Sequence, residues 1–220
     1  MVSRAEVSTI IVSITMNNRI KRSRGRPRTF DRTRALEAAL IIFWRQGYEA
    51  SSITQLTKAM KITAPSLYAA FGSKEQLYRD VLDLYVSTHG DFVVRGLAAQ
   101  GIARDVFVHL LNEAAIQFSR PGWPSGCLVA NGALRCAQDN LAVREVTAML
   151  RHAAQDAVRQ RIDQAIIDHE VEPDIDSAGL AAFYASIVQG MSVQAVDGAT
   201  REQLMKIGEF AMAAWPAKRS

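Results

Sequence analysis

Residues 61–74, KITAPSLYAAFGSK, have the features of a short helix whose N-terminal end stays open. Thr63 is a hydroxyl residue placed to cap the helix, and Pro65 is tolerated in the first turn because an N–H there has no intrahelical partner. Leu67 and Phe71 are four residues apart, so they share one face of the helix. The stretch therefore predicts a helix that packs through its apolar face and leaves a polar first turn free for contacts.

Helix-capping residues also flank this stretch on both sides. Asp31 is placed to cap a first helix, which Gly47 is expected to end, and Ser52 opens a second helix. Ser73 opens a fourth, and Gln76 three residues later completes the pattern of a capping box. Two helices joined by a short turn, the second capped by a hydroxyl, have the layout of a helix-turn-helix. The N-terminal helices are therefore predicted to form one compact bundle.

The rest of the chain has the apolar spacing of longer helices. The sequence RPGWPSG, residues 120–126, interrupts this pattern with two prolines and two glycines. No strand pattern or internal repeat is visible, so the predicted fold is all-α. Helices are expected at about 103–119, from Cys127 to about Ala137, and at about 140–169, 176–196 and 201–214. The predicted parts are a flexible basic N-terminal extension (1–28), a three-helix helix-turn-helix domain (29–75) and a larger helical domain (76–216).

The composition is that of an ordinary globular chain. Of 220 residues, 49% are hydrophobic and 22% are charged, and no run of about 18 apolar residues is present, which argues against a membrane span. The two cysteines, Cys127 and Cys136, form neither a disulfide framework nor a CxxC pair, as is typical of a reducing cytoplasm. Motifs such as GxSxG, HExxH and GxGxxG do not occur, so the sequence predicts no enzyme, no metal and no cofactor.

Positive charge is concentrated at the front of the chain. Residues 1–80 hold 14 Lys and Arg against 6 Asp and Glu, whereas residues 81–220 hold 12 against 16. A basic front indicates contact with a polyanion. Within it, the sequence RGRPR resembles an AT-hook, which predicts that Arg24, Arg26 and Arg28 enter a narrow minor groove. The alternative is a solvated charge run that attracts phosphates without preference.

The sequence FWRQGYEASSITQLTKAMKITAPSLYAAFGSKEQLYRDVL resembles the N-terminal pattern of the tetracycline-repressor (TetR) family of bacterial transcription regulators. A weaker similarity to the last two helices of that family runs through LAAFYASIVQGMSVQAVDGATREQL. Two residues depart from the pattern. Lys61 stands where the family usually has glycine in the turn, at an expected cost of about 1 kcal/mol for a positive φ, and Thr57 replaces a small alanine.

The resemblance implies that the third helix enters the major groove of double-stranded DNA. Thr63 and Ser66 can hydrogen-bond base edges, Ala64 and Pro65 suit thymine methyl groups, and the hydroxyl of Tyr68 can reach a phosphate. The full set of predicted contacts beside the arm is Ser52, Thr54, Thr63, Ala64, Pro65, Ser66, Tyr68 and Lys74. The family resemblance further implies that the protein binds a palindromic operator as a homodimer. It also implies that the protein is a repressor, which a small molecule in the C-terminal domain releases from DNA.

The C-terminal domain offers candidates for a ligand pocket and a dimer interface, although apolar residues at helical spacing are more often core. The ligand candidates are Phe107, Trp123, Cys127, Met149, Phe183 and Tyr184. The dimer candidates are Leu180, Ile187, Met191, Leu204 and Phe210. If buried, Arg135 and His152 would orient an anion; the alternative is that both are exposed.

Two other functions are compatible with the sequence. One is a thiol-based regulator that senses oxidants or electrophiles through Cys127 or Cys136, which are nine residues apart and would not pair on one helix. The other is a non-specific DNA-packaging protein, which the basic arm favours and the large acidic rear disfavours.

Overall fold

A computed structural model describes residues 31–216. Within them the chain forms ten α-helices, one short 3-10 turn at Gln138–Asn140 and no strand, so the all-α prediction is confirmed. The helices are α1 Arg32–Ala50, α2 Ile53–Met60, α3 Ala64–Phe71, α4 Lys74–Thr88, α5 Asp91–Leu97, α6 Ala103–Phe118, α7 Leu128–Asn131, α8 Leu141–Ile167, α9 Ser177–Val196 and α10 Arg201–Met212.

The first four helices begin at the predicted caps. The side chains of Asp31, Ser52, Thr63 and Ser73 each accept a hydrogen bond from the backbone N–H three residues later. The predicted capping box at Ser73 is half formed. The Gln76 backbone bonds Ser73, but the Gln76 side chain donates to Asp80 at 3.1 Å instead of returning to the cap. Gly47 breaks α1 with φ 74°, and a last turn follows it.

The turn between α2 and α3 has the left-handed geometry that the sequence implied. Lys61 has φ 55° and ψ 42°, a conformation that costs a non-glycine residue about 1 kcal/mol. The Ile62 N–H donates to the Thr57 carbonyl at 3.1 Å and closes the turn. The Thr57 hydroxyl donates to the Ile53 carbonyl at 2.8 Å, so the larger side chain is accommodated without an unpaired hydroxyl. The Thr57 departure is therefore accommodated locally, whereas Lys61 keeps a φ that is strained for a residue with a Cβ.

We call residues 31–75 the head and residues 76–216 the body. One apolar core runs through both: it joins Leu67 and Phe71 of α3 to Tyr78 of α4 and to Val143 and Leu150 of α8. Helix α4 starts in the head and continues into the body, so the predicted boundary at residue 75 lies within a helix. The head is consequently not isolated from the body by a linker.

The body is a bundle of α5–α10 around a second apolar cluster. Its three long C-terminal helices begin and end within two residues of the predicted bounds. Two local predictions are wrong. Helix α5 has no counterpart in the sequence analysis, and the helix expected from Cys127 to Ala137 ends at Asn131. Gly132 follows it, packed so tightly that a Cβ there would lie 2.6 Å from the Tyr78 hydroxyl, and its carbonyl accepts from the Tyr48 N–H of the head.

Candidate nucleic-acid interface and internal cavity

The first turn of α3 is open to solvent. Leu67 and Phe71 are 0% and 3% exposed, and they hold the inner face of the helix in the core. On the outer face Thr63, Pro65 and Ser66 are exposed, and Tyr68 is 47% exposed. Ala64 is half-buried beside them. The helix thus presents a small, polar surface with its first N–H groups near the outside.

The two hydroxyl groups of this turn contact each other. Thr63 Oγ1 accepts from the Ser66 N–H at 3.4 Å and lies 2.9 Å from Ser66 Oγ. One hydroxyl donates in that contact, and both oxygens keep capacity for an outside partner. The turn is therefore preorganised for hydrogen bonds with either donors or acceptors.

A second helix end lies in the same head. Ser52 caps α2 in a reciprocal capping box with Gln55, with bonds of 3.1 and 2.8 Å. Ser52 and Thr54 are both exposed. The N-terminus of α2 carries the positive end of the helix dipole, so this exposed turn is a suitable place for a phosphate group.

Lys74 does not extend freely into solvent. It is half-buried, and its Nζ lies 4.2 Å from the centre of the Tyr48 ring in a cation–π contact. Burial lowers the pKa of the Lys74 ammonium, and the nearby Glu49 carboxylate opposes that shift. An ammonium carries three N–H donors, so Lys74 Nζ can contact a phosphate as well as the Tyr48 ring, and its predicted contact with DNA stays a prediction.

The sequence analysis missed a brace behind α3. Arg32, at the start of α1, forms an ion pair with Asp80 of α4 and stacks 4.7 Å from the centre of the Phe71 ring. These residues are 48 positions apart, and no spacing rule connects them. The brace fixes the inner side of α3 against two other helices. The predicted minor-groove arginines, Arg24, Arg26 and Arg28, lie outside the described residues.

The end of α1 is hydrogen-bonded to residues 126–140, which we call the junction segment. Trp44 Nε1 donates to the Gly126 carbonyl at 3.1 Å. Glu49 Oε1 accepts from the Ala137 N–H at 2.7 Å and from Asn140 Nδ2 at 2.9 Å. These two bonds lower the pKa of the exposed Glu49 carboxyl. Together with the Tyr48–Gly132 bond at 2.8 Å, they fasten the head to the body at a point distant from α4 in sequence.

A partly open cavity of about 120 Å³ lies in the body between α4, α5, α6, α8, α9 and the junction segment. Of the predicted ligand residues, Cys127 and Tyr184 line it. Phe107 is fully buried against Tyr184 and Trp215, and Trp123 packs against His89 and Trp44 at the junction. Met149 and Phe183 are exposed. A second hollow of about 450 Å³, beside Arg104 and Glu170, touches neither α4 nor the junction segment.

The cavity also contains residues that the sequence did not single out. Its lining includes Tyr85, Arg151, Gln155 and Gln189 among mostly apolar side chains. Arg151 and Gln155 are four residues apart, so they lie one turn apart on α8. The sequence shows this spacing, but it does not show that both residues line a cavity. Arg135 and His152, which would orient an anion if they were buried, are exposed.

The two cysteines occupy different places. Cys127 lies at the cavity wall near the Tyr85 hydroxyl, and Cys136 lies near Glu49 at the junction. Burial is the main reason that the pKa of each thiol is raised, and Glu49 adds to the effect at Cys136. A raised pKa lowers the fraction of reactive thiolate at neutral pH.

Helices α9 and α10 expose an apolar surface. Phe210 is 73% exposed and Val193 is 45% exposed, while Leu180 and Ile187 are half-buried. Met191 and Leu204 are fully buried inside the protomer, where they pack in the body core. Helix α9 is long and apolar enough to cross a membrane, with a mean hydropathy of 1.2, but its contacts with α6, α8 and α10 make it part of the bundle.

Comparison with known proteins agrees with this architecture. Residues 35–81 match the bacterial regulatory proteins of the tetR family, and residues 107–203 match the tetracyclin repressor-like C-terminal domain. The HTH-type transcriptional repressor ComR of Escherichia coli (strain K12) is 35% identical over 203 residues, which are 90% of this chain and 94% of that protein. The repressor BdcR of the same organism is 32% identical over 180 residues, 82% of this chain and 86% of its own.

A solved structure extends the similarity to three dimensions. A cysteine-substituted form of the TetR family transcriptional regulator CifR, complexed with 26-base-pair operator DNA, is 42% identical, with a TM-score of 0.84. The match covers 87% of this chain and 100% of that chain. From these matches and from the helix-turn-helix geometry, the chain belongs to the TetR family of bacterial transcriptional regulators.

Proposed function

We propose that this protein is a repressor that binds a palindromic operator as a homodimer and leaves it when a small molecule fills the body cavity. The observation that carries the proposal is the exposed first turn of α3, held outward by the buried Leu67 and Phe71. Its relatives ComR and BdcR are repressors by name. The proposal makes the chain a regulator rather than an enzyme, and it places the protein in the cytoplasm, where bacterial DNA is accessible.

The proposed pose inserts α3 into the major groove. Thr63 and Ser66 then face base edges, because their hydroxyls can serve bases of either hydrogen-bonding type. Ala64 and Pro65 supply apolar contacts to thymine methyl groups, and Tyr68 reaches the backbone. The N-terminus of α2, with Ser52 and Thr54, sits on a neighbouring phosphate. The basic residues 19–28, which include Arg24, Arg26 and Arg28, add contacts in the flanking minor groove.

The proposed dimer forms through α9 and α10. Phe210, Val193 and the 57%-exposed Val196 are large apolar side chains on these two helices, and covering them with a second copy removes apolar surface from water. Two-fold symmetry then places two α3 helices about one DNA turn apart, or about 34 Å, which requires a roughly palindromic site.

Two physical connections link the cavity to the head. Tyr85 and Val86 line the cavity on α4, the helix whose other end begins in the head. Cys127 and Val129 line it on the junction segment, which hydrogen-bonds α1 through Gly126, Gly132, Ala137 and Asn140. A ligand that favours one arrangement of these walls by a few kcal/mol can therefore favour one position of the head.

The test is a footprint on the DNA that flanks the gene for this protein. One protected palindrome, lost on addition of an effector, supports the proposal. Protection spread evenly over any duplex supports the packaging alternative instead, because phosphate attraction alone carries no sequence preference.

A thiol-based regulator is the second candidate, favoured by the position of Cys127 at the cavity wall. A Cys127→Ser variant and a Cys136→Ser variant separate the two functions. The thiol function is supported if either variant keeps its operator affinity and yet fails to respond to an oxidant or electrophile that releases the wild type from DNA. In that case the protein senses through a thiol, and release by a small molecule in the cavity is replaced as its function.

A further inference from the structure

The cavity has the size and the walls of a site for a small, mainly apolar molecule. Its volume is about 120 Å³, which is of the same order as an apolar protein cavity of roughly 150 Å³ that binds benzene. Phe92, Leu110, Phe118, Val158 and Val188 are among the side chains that form its walls. Burying a single ring or a short branched chain here removes apolar area from water without leaving a polar group unpaired.

One residue departs from these apolar walls. Arg151 is the single charged side chain among the residues that line the cavity, and none of those residues is Asp or Glu. It is half-buried, so it borders the cavity and solvent at once. Its Nη1 donates to the Val129 carbonyl at 2.9 Å, and it forms no ion pair with any other of the described residues 31–216. Burial lowers the pKa of its guanidinium, since part of its hydration is lost.

Other hydrogen-bond donors line the same cavity. Gln155 follows Arg151 by one turn on α8, and Gln189 comes from the facing helix α9. Both side chains are half-buried and carry N–H groups. A cation and two amides in the wall of an apolar cavity suit a planar anion, and a guanidinium binds a carboxylate with two parallel hydrogen bonds.

We infer that the effector is a small carboxylic acid, with an apolar part roughly the size of benzene inside the cavity and its carboxylate against Arg151 at the rim. This inference rests on the proposed function, since it names the ligand class of that same cavity. Val129 belongs to the junction segment, so a carboxylate that takes Arg151 from the Val129 carbonyl also removes a bond that holds this segment. The charge of the ligand therefore affects the release of DNA as well as the binding of the ligand itself.

The experiment is isothermal titration of the full-length protein, without DNA, against benzoate, benzyl alcohol and benzylammonium. The three probes share one ring and differ in the charge of one group. Benzoate is expected to bind at least about tenfold more tightly than benzyl alcohol, because charge-assisted hydrogen bonds are the stronger ones. Equal affinities for benzoate and benzyl alcohol, a preference for benzylammonium, or no detectable binding of benzoate at millimolar concentration would each overturn the inference.

Variants then assign the preference to Arg151. Arg151→Met should remove the advantage of benzoate over benzyl alcohol while benzyl alcohol still binds, and Arg151→Lys should keep part of it. Arg159→Met is the matched control, because Arg159 lies exposed on the same helix and pairs with Asp163. An Arg151→Met protein that still prefers benzoate as the wild type does contradicts the assignment. Because these titrations contain no DNA, their failure leaves the operator footprint as a separate test of the proposed function.

Discussion

The indole N–H of Trp44 donates a 3.1 Å hydrogen bond to the carbonyl of Gly126. This bond connects the first helix of the head to the start of the junction segment, next to the cavity-lining Cys127. The two residues are 82 positions apart in the chain. Trp44 also packs edge-on against Tyr85, with ring centres 4.8 Å apart, so the same side chain contacts both connections between cavity and head.

Trp44→Phe should keep much of the ring packing and lose the hydrogen bond. The buried Gly126 carbonyl would then lack its partner, so we expect the free energy of unfolding to fall by about 1–3 kcal/mol. Urea denaturation measures this. Trp123→Phe is the control, since it removes an indole from the same aromatic cluster and no protein hydrogen bond. Equal losses in the two variants would show that packing, and not the Gly126 bond, accounts for the effect.

Glu49 should make the contact between head and body sensitive to acid. Its pKa is lowered in the folded protein by hydrogen bonds from Asn140 and Ala137. The stabilisation is therefore present above the unfolded pKa of about 4.3 and disappears as the pH falls through the lower folded value. The carboxylate is exposed, so the effect is small.

The measurement is the free energy of unfolding between about pH 6 and pH 3 for the wild type and for Glu49→Gln. The difference between the two proteins should shrink as the pH falls through this window. Glu37→Gln, at another exposed carboxylate on α1, is the control. A difference that stays constant across the window would rule out titration of Glu49 as its source.

Lys61 should be replaceable by glycine with a gain in stability. Its φ of 55° is strained for a residue with a Cβ, and glycine adopts this region freely. We expect Lys61→Gly to raise the free energy of unfolding by up to about 1 kcal/mol, measured by thermal or urea denaturation. Lys58→Gly, inside α2, is the matched change and should lower it by about 1 kcal/mol. If both substitutions lower the free energy of unfolding, contacts of the Lys61 side chain outweigh the strain of its positive φ.

Much of the head follows from the sequence because its determinants are local. Asp31, Ser52, Thr63 and Ser73 each cap a helix through a backbone N–H three residues away, and the sequence shows that spacing directly. The left-handed turn at Lys61 was expected from the resemblance instead, because the family usually has glycine at that position.

The body could be predicted only in part because its remaining features depend on distant residues. Met191 and Leu204 have the spacing of an interface, yet α6 and its neighbours cover them within one protomer. Gly132 follows α7 at a place where a Cβ would lie 2.6 Å from the Tyr78 hydroxyl and where its carbonyl accepts from the Tyr48 N–H. Arg151 becomes a candidate only when the walls of the cavity are known. Such contacts leave no periodic pattern in the chain.

Phe210→Glu should dissociate the proposed dimer. Phe210 is the most exposed of the large apolar side chains on α10, and a carboxylate placed there opposes its own symmetry mate across a two-fold contact. Sedimentation equilibrium should show a shift from dimer to monomer at micromolar concentration. Ile167→Glu is the control, because Ile167 is 68% exposed on α8, outside the proposed interface. A Phe210→Glu protein that remains dimeric would move the interface away from this surface.

The central claim is that the first turn of α3 faces DNA, and Ser66→Tyr tests it most directly. The larger side chain is tolerated on an exposed helical position, so the unfolding temperature should stay near the wild-type value. Fluorescence anisotropy with the footprinted operator should show affinity at least about 30-fold weaker, equivalent to about 2 kcal/mol, as the turn can no longer approach the bases. Ser87→Tyr, exposed on α4, should bind as the wild type does. Wild-type affinity in Ser66→Tyr would contradict the account.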